Sequence, residues 1–65
     1  MKIIDEKETG KRLIMGTEHP ILTQLQRHER FGKVSWTVAG ICNGISEWDH
    51  KFKNLKDARK DFERP

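Results

Sequence analysis

Residues 33–62, KVSWTVAGICNGISEWDHKFKNLKDARKDF, decide the fold, because each part of this stretch agrees with the next. Apolar and polar residues alternate on both sides of Asn43-Gly44, which is the pattern of two half-buried strands joined by a tight turn. After Asn54 the alternation gives way to a helical spacing. The stretch therefore predicts a β-hairpin followed directly by a short helix.

The pairing of the two strands follows from the requirement that their apolar residues share one face. A two-residue Asn43-Gly44 loop would place Trp36 opposite Lys51, so that apolar and charged faces would collide. A three-residue loop ending in Gly44 shifts the register by one and pairs Val34 with Phe52, Trp36 with His50 and Val38 with Trp48. The sequence therefore predicts this longer loop, with His50 in the core beside Trp36.

The helix has a recognisable start. Asn54 is a favourable N-cap residue, and Asp57 follows three positions later, near the positive end of the helix dipole. The apolar residues Leu55, Ala58 and Phe62 lie on one side of the helix. Because a helix of this length is marginal in water, we expect it to dock on the sheet.

The first half of the chain is less clear. Residues 2–7 and 11–16 flank Glu8-Thr9-Gly10, a short segment ending in glycine that predicts a second hairpin. Residues 20–28 fit either a strand or a helix, since Ile21, Thr23 and Leu25 alternate while Pro20 can begin a helix. The strand is favoured, joined to the next strand through a polar loop over residues 27–32.

Taken together, these patterns predict a single α+β domain over residues 1–65, with an antiparallel sheet of four to five strands (two hairpins) and one C-terminal helix packed on it. The alternative is a ββαββα arrangement with a helix in the middle of the chain. The expected core residues are Ile4, Ile14, Val34, Trp36, Val38, Trp48, Phe52, Leu55, Ala58 and Phe62.

Length and composition limit the classes of protein. A chain of 65 residues buries a small core, and a homodimer that shares apolar surface would relieve the shortage. The single cysteine, Cys42, excludes an intramolecular disulfide, and no apolar run approaches the length of a membrane span. The N-terminus turns acidic too early for a signal peptide, so we expect a cytoplasmic protein without membrane contact.

No catalytic or cofactor motif emerges from the sequence. His19, His28, His50 and Cys42 could ligate a metal, but their spacings are too long to preorganise a site. Cys42 has no basic neighbour to activate it, and Asp49 and His50 are adjacent in a strand, so their side chains point to opposite faces. We therefore expect no enzyme activity, no metal and no cofactor.

The sequence supports binding to either of two macromolecular partners. The preferred hypothesis is a small regulatory protein that occupies a protein partner, either through an edge strand or through the apolar residues Phe31, Ile41 and Ile45. The alternative is a nucleic-acid-binding module that uses the basic loop 27–33 and the basic C-terminal helix. Its candidate contacts are Arg27, Arg30, Lys33, Lys53, Lys56 and Lys60.

The segment FKNLKDARKDF resembles the last part of the DNA-binding N-terminal domains of some tyrosine recombinases. The resemblance covers only residues 33–62 and rests on the packing positions Phe52, Leu55, Ala58 and Phe62. It implies a three-stranded sheet with a helix, and DNA contacts through the sheet. The corresponding outer face departs from that pattern, since it is not basic: Ser35, Thr37, Glu47, Asp49 and Lys51.

Overall fold

The computed structural model describes residues 1–64 and contains four strands and one helix. The elements are β1 (Lys2–Ile14), β2 (Thr17–Arg30), β3 (Lys33–Cys42), β4 (Ile45–Phe52) and α1 (Leu55–Phe62). The strands form one antiparallel sheet in the order β1-β2-β3-β4, and α1 contacts β2, β3 and β4. The predicted sheet with a C-terminal helix is confirmed, with four strands and no fifth in the described residues. The ββαββα alternative is wrong, because β2 occupies the middle of the chain.

Three turns of the same kind join the four strands. Each is a two-residue loop, Met15-Gly16, Phe31-Gly32 or Asn43-Gly44, closed by a pair of directly opposed residues. The first residues have φ of 49°, 52° and 52°, and the glycines have φ of 81°, 75° and 78°. Positive φ at both positions is the signature of the type I′ turn, whose twist matches that of the flanking strands. The polar loop predicted for residues 27–32 is therefore only two residues long.

The hairpin predicted at Glu8-Thr9-Gly10 is wrong. The strand β1 continues through this segment, and the register with β2 shifts between Glu8 and Gly10, so Thr9 is an extra residue in a bulge. Glycine inside a strand pattern marks a bulge as readily as a turn. The actual turn, Met15-Gly16, was missed because methionine is not a typical residue for this conformation.

The predicted register of the last hairpin is also wrong, although the predicted faces are right. The loop has two residues, and a bulge at Glu47 then shifts the register, because Ile41 opposes Ser46 while Gly40 opposes Trp48. As a result Trp36 pairs with Phe52, and Val38 pairs with His50. The observed pairing differs from the expected one by two residues. Because side chains alternate between the two faces of a strand, this shift leaves the same side chains on the face that α1 covers, which we call the helix-bearing face.

The core lies between the middle of the sheet and α1. Leu25 and Val38, which oppose each other across β2 and β3, contact Ala58 and Phe62 of the helix. Ile4, Trp36 and Phe52 pack around this cluster and are partly buried. Leu25 is fully buried and was not among the expected core residues.

Several expected core residues lie outside this cluster. Trp48 is 41% exposed and Leu55 is 39% exposed, because the short helix covers only the centre of the sheet. Ile14 and Val34 are half-buried near the ends of their strands. His50 is exposed and contacts the helix through Asp61, so its predicted place beside Trp36 is wrong.

The predicted helix start is confirmed. The Asn54 side chain accepts a hydrogen bond from the Asp57 backbone N–H at 2.9 Å, and its amide donates to the Asp57 carboxylate at 3.0 Å. A cap of this kind contributes about 1 kcal/mol to stability. Within residues 1–64, no helix is long and apolar enough to cross a membrane.

The hairpin of β1 and β2 is longer than the rest of the sheet. Residues 17–20 of β2 pair with β1 only, since the pairing with β3 begins at Ile21. Residues 11–20 therefore form a two-stranded arm at one end of the molecule. The Phe31-Gly32 turn lies at the other end, about 30 Å away along β2 at the usual rise of a strand.

Candidate functional site

The Phe31-Gly32 turn presents an aromatic ring to solvent. Phe31 is 90% exposed, and its positive φ is a conformation that bulky residues rarely adopt. The Arg30 guanidinium lies 5.4 Å from the centroid of the ring, in a cation–π contact. One side of the ring is therefore covered by a cation, and most of its surface remains accessible.

Three cations surround a shallow concavity beside this ring. Arg30 and Lys33 are the directly opposed residues that close the turn, and Lys53 follows β4 at the same end of the sheet. The concavity has a volume of about 560 Å³ and is lined by Arg30, Phe31, Lys33, Val34, Ser35 and Lys53. We refer to Arg30, Phe31, Lys33 and Lys53 as the basic end. No carboxylate lines this concavity among the described residues.

The three cations of the basic end lack an ionic partner within residues 1–64, as do five of the ten other lysines and arginines. Within residues 1–64, five basic side chains form ion pairs with carboxylates: Lys11, Arg12, Arg27, Arg59 and Arg64. Arg30, Lys33 and Lys53 form none among those residues. Like charges directly across a strand pair destabilise the sheet, so the opposed Arg30 and Lys33 favour an anion between them.

The other predicted nucleic-acid contacts lie apart from the basic end. Arg27 shares the helix-bearing face with Trp36 and forms an ion pair with Glu29 at 3.2 Å. Lys56 and Lys60 lie on the exposed side of α1, where they line a different concavity together with Arg59. The structure therefore brings together three of the six candidate cations, and it places Phe31 among them.

The predicted protein contacts do not form one patch. Phe31 is at the turn that precedes β3, whereas Ile41 and Ile45 are near the turn that follows it. Ile41 is half-buried and opposes Ser46, and Ile45 is exposed and opposes Cys42. The length of β3 therefore separates Phe31 from the other two residues.

A second concavity, which sequence reasoning missed, lies on the helix-bearing face. His50 of β4 contacts Asp61 of α1, with 3.1 Å between Nδ1 and Oδ2. The His50 ring also lies 5.2 Å from the Trp48 ring, at an interplanar angle of 42°. The concavity has a volume of about 350 Å³ and is lined by Lys7, Thr9, Thr23, Trp48, His50, Asp61, Phe62 and Arg64. We refer to it as the Trp48 pocket.

The described residues include no group of three or more His, Cys, Asp or Glu side chains placed to hold a metal ion. Cys42 is buried and has a free thiol. Comparisons with known proteins add no assignment: no family model, curated protein or solved structure matches this chain.

Proposed function

We propose that this chain is a non-enzymatic module that binds single-stranded nucleic acid through the basic end. Phosphates would lie against Arg30, Lys33 and Lys53, and an unstacked base would lie on the Phe31 ring. Phosphate contacts supply affinity that does not depend on sequence, and stacking on an aromatic ring accepts every base. Duplex bases are already stacked, so an isolated ring favours single strands.

The observation that carries the proposal is that the Phe31-Gly32 turn contains two features that destabilise the free protein. A left-handed conformation costs a residue with a Cβ about 1–2 kcal/mol, and Phe31 adopts it with its ring in solvent. The closing pair, Arg30 and Lys33, places two positive charges opposite each other. Neither feature stabilises the fold, whereas the opposed cations favour an anion and the exposed ring favours a ligand with exposed bases.

The experiment is a titration of a fluorescein-labelled, mixed-sequence single strand, followed by anisotropy at low and moderate salt. For about three phosphate contacts, the logarithm of the binding constant should fall with the logarithm of salt concentration with a slope near −2. The double variant Arg30→Ala/Lys33→Ala should lower the magnitude of this slope by about 1.4. A duplex of the same sequence should bind more weakly.

Lys11→Ala is the matched control for this titration. Lys11 is exposed and lies in the arm at the other end of the molecule, about three Debye lengths from the basic end at 0.1 M salt. Its removal should leave the slope within error of the wild-type value. Equal losses for Lys11→Ala and for Arg30→Ala/Lys33→Ala would contradict the proposal, and so would binding that does not respond to salt.

Association with a protein is the second candidate function, and we take a second copy of this chain as the partner to test. The tip of the β1–β2 arm favours it, since Leu13 is 71% exposed and Met15 is 99% exposed. Light scattering should then give the mass of a dimer for the wild-type chain and the mass of a monomer for Leu13→Ser. The dimer mass should not change with salt concentration. A monomer mass at millimolar concentration would contradict this candidate and leave the nucleic-acid proposal unaffected.

A further inference from the structure

We propose that the Trp48 pocket binds a small planar aromatic molecule that carries an anionic group, such as a phosphate or a carboxylate. None of the residues of the basic end lines this pocket, so the proposal does not depend on the one above. The pocket volume, about 350 Å³, lies within the range of small-molecule sites. Its lining has the rings of Trp48, Phe62 and His50 together with five other polar side chains, so it is more polar than most small-molecule sites and suits a charged ligand.

The aromatic wall depends on a glycine in the neighbouring strand. Trp48 opposes Gly40, and a Cβ built on Gly40 would lie 2.2 Å from the indole Nε1. The ring therefore lies directly on the backbone of β3, in space that any other residue would occupy. With 41% of Trp48 exposed, the indole offers a flat surface that the helix does not cover. Such a surface is suited to stacking of a planar ring.

The polar groups of the pocket favour an anion. The hydroxyls of Thr9 and Thr23 lie 3.0 Å apart, and Thr23 is buried. Lys7 lies 4.7 Å from the centroid of the Phe62 ring and forms no ion pair within residues 1–64. The two hydroxyls bond to each other, and Thr9 Oγ1 also donates to the Ile21 carbonyl oxygen at 3.4 Å, so Lys7 supplies the ammonium that remains for a ligand beside the exposed indole.

The one carboxylate that lines the pocket is already engaged. Asp61 contacts His50 at 3.1 Å and Arg64 at 3.9 Å, and its side chain is mostly buried. Lys7 and Arg64 contribute two positive charges and Asp61 one negative charge, so the pocket is positive even with His50 neutral. The Nδ1 atom of His50 faces Asp61, which leaves Nε2 as a further donor or acceptor for the ligand.

Tryptophan emission provides the test, because the chain contains no tyrosine and only two tryptophans. In the variant Trp36→Phe, Trp48 is the sole fluorescent reporter. The two ligands to be tested are adenosine monophosphate, whose anion is a phosphate, and phenylacetate, whose anion is a carboxylate. Saturable quenching by at least one of them is expected. Adenosine lacks the anion and ribose 5-phosphate lacks the ring, so both should bind about tenfold more weakly than adenosine monophosphate.

Two substitutions test whether the ligand binds in this pocket. Lys7→Gln should weaken binding about tenfold, since it removes a charge-assisted hydrogen bond. Lys51→Gln, on the opposite face of the sheet, is the matched control and should leave binding unchanged. In the wild-type chain, the indole N–H resonance of Trp48 should shift on titration, which makes the test independent of the Trp36 substitution. No quenching and no shift at millimolar ligand would overturn the proposal, and so would equal effects of Lys7→Gln and Lys51→Gln.

Discussion

The turns Phe31-Gly32 and Asn43-Gly44 have nearly the same backbone and very different side chains. Both use two residues with positive φ, at 52° and 75° in the first turn and at 52° and 78° in the second. Asparagine tolerates this conformation well, whereas phenylalanine does not. The Asn43 turn is closed by Cys42 and Ile45, while the Phe31 turn is closed by two cations. One turn therefore has the residues that folding favours, and the other has residues that we attribute to binding.

The largest effect is expected when the aromatic residue moves from one turn to the other. The double variant Phe31→Asn/Asn43→Phe should bind the single strand about 5- to 150-fold more weakly, since the loss of one stacked base costs about 1–3 kcal/mol. Its stability should stay close to wild type, because the two turns have exchanged residues in the same backbone conformation. Anisotropy and thermal melting measure the two quantities.

The single variant Asn43→Phe is the control for this exchange. It keeps Phe31 and should bind normally, although it should melt at a lower temperature. Wild-type affinity in the double variant would show that the aromatic residue at position 31 makes no contact with the ligand.

A smaller effect, on stability, tests whether the two turns share a backbone conformation. Gly32→Ala and Gly44→Ala should each cost about 1–2 kcal/mol, because a Cβ is strained at positive φ. At either position a Cβ would meet nothing within 4 Å, so the cost is conformational alone. Each variant should lower Tm by roughly 4–16 °C. A loss at Gly32 much smaller than that at Gly44 would mean that the Phe31 turn adopts a different conformation.

The smallest effect is expected at the third turn, which has no role in the proposed binding. Met15 has a φ of 49° and is 99% exposed, so Met15→Asn should stabilise the fold by about 1 kcal/mol. Tm should rise by about 4–8 °C without a change in affinity for the single strand. A change in affinity would show that the arm end of the molecule also contacts the ligand.

The faces of the strands could be predicted from the alternation of apolar and polar side chains. The pairing of the strands could not, because a single extra residue in a bulge shifts it. Alternation from Val34 to Val38 and from Trp48 to Phe52 correctly predicted the faces of β3 and β4. The bulge at Glu47 leaves no clear sign in the sequence, since it inserts one ordinary residue into a strand, and at Thr9 the neighbouring Gly10 fits a bulge and a turn equally well. The two bulges account for the wrong N-terminal hairpin and for the wrong register.

One candidate site could be predicted from the sequence and the other could not. Arg30, Phe31 and Lys33 are nearly contiguous in the chain, so the sequence alone could place them together. The Trp48 pocket could not be foreseen, because Asp61 reaches His50 from the helix, eleven residues later in the chain. The carboxylate adjacent to His50 in the sequence is that of Asp49, whose side chain lies on the other face of the sheet.

The measurement that tests the central claim most directly is Phe31→Asn, with stability and affinity determined on the same sample. We predict that Tm rises, because strain in the turn is relieved, and that affinity for the single strand falls at least fivefold, because the stacking ring is lost. An unchanged affinity, or a fall in both Tm and affinity, would contradict the account, since Phe31 would then serve the fold and not the ligand.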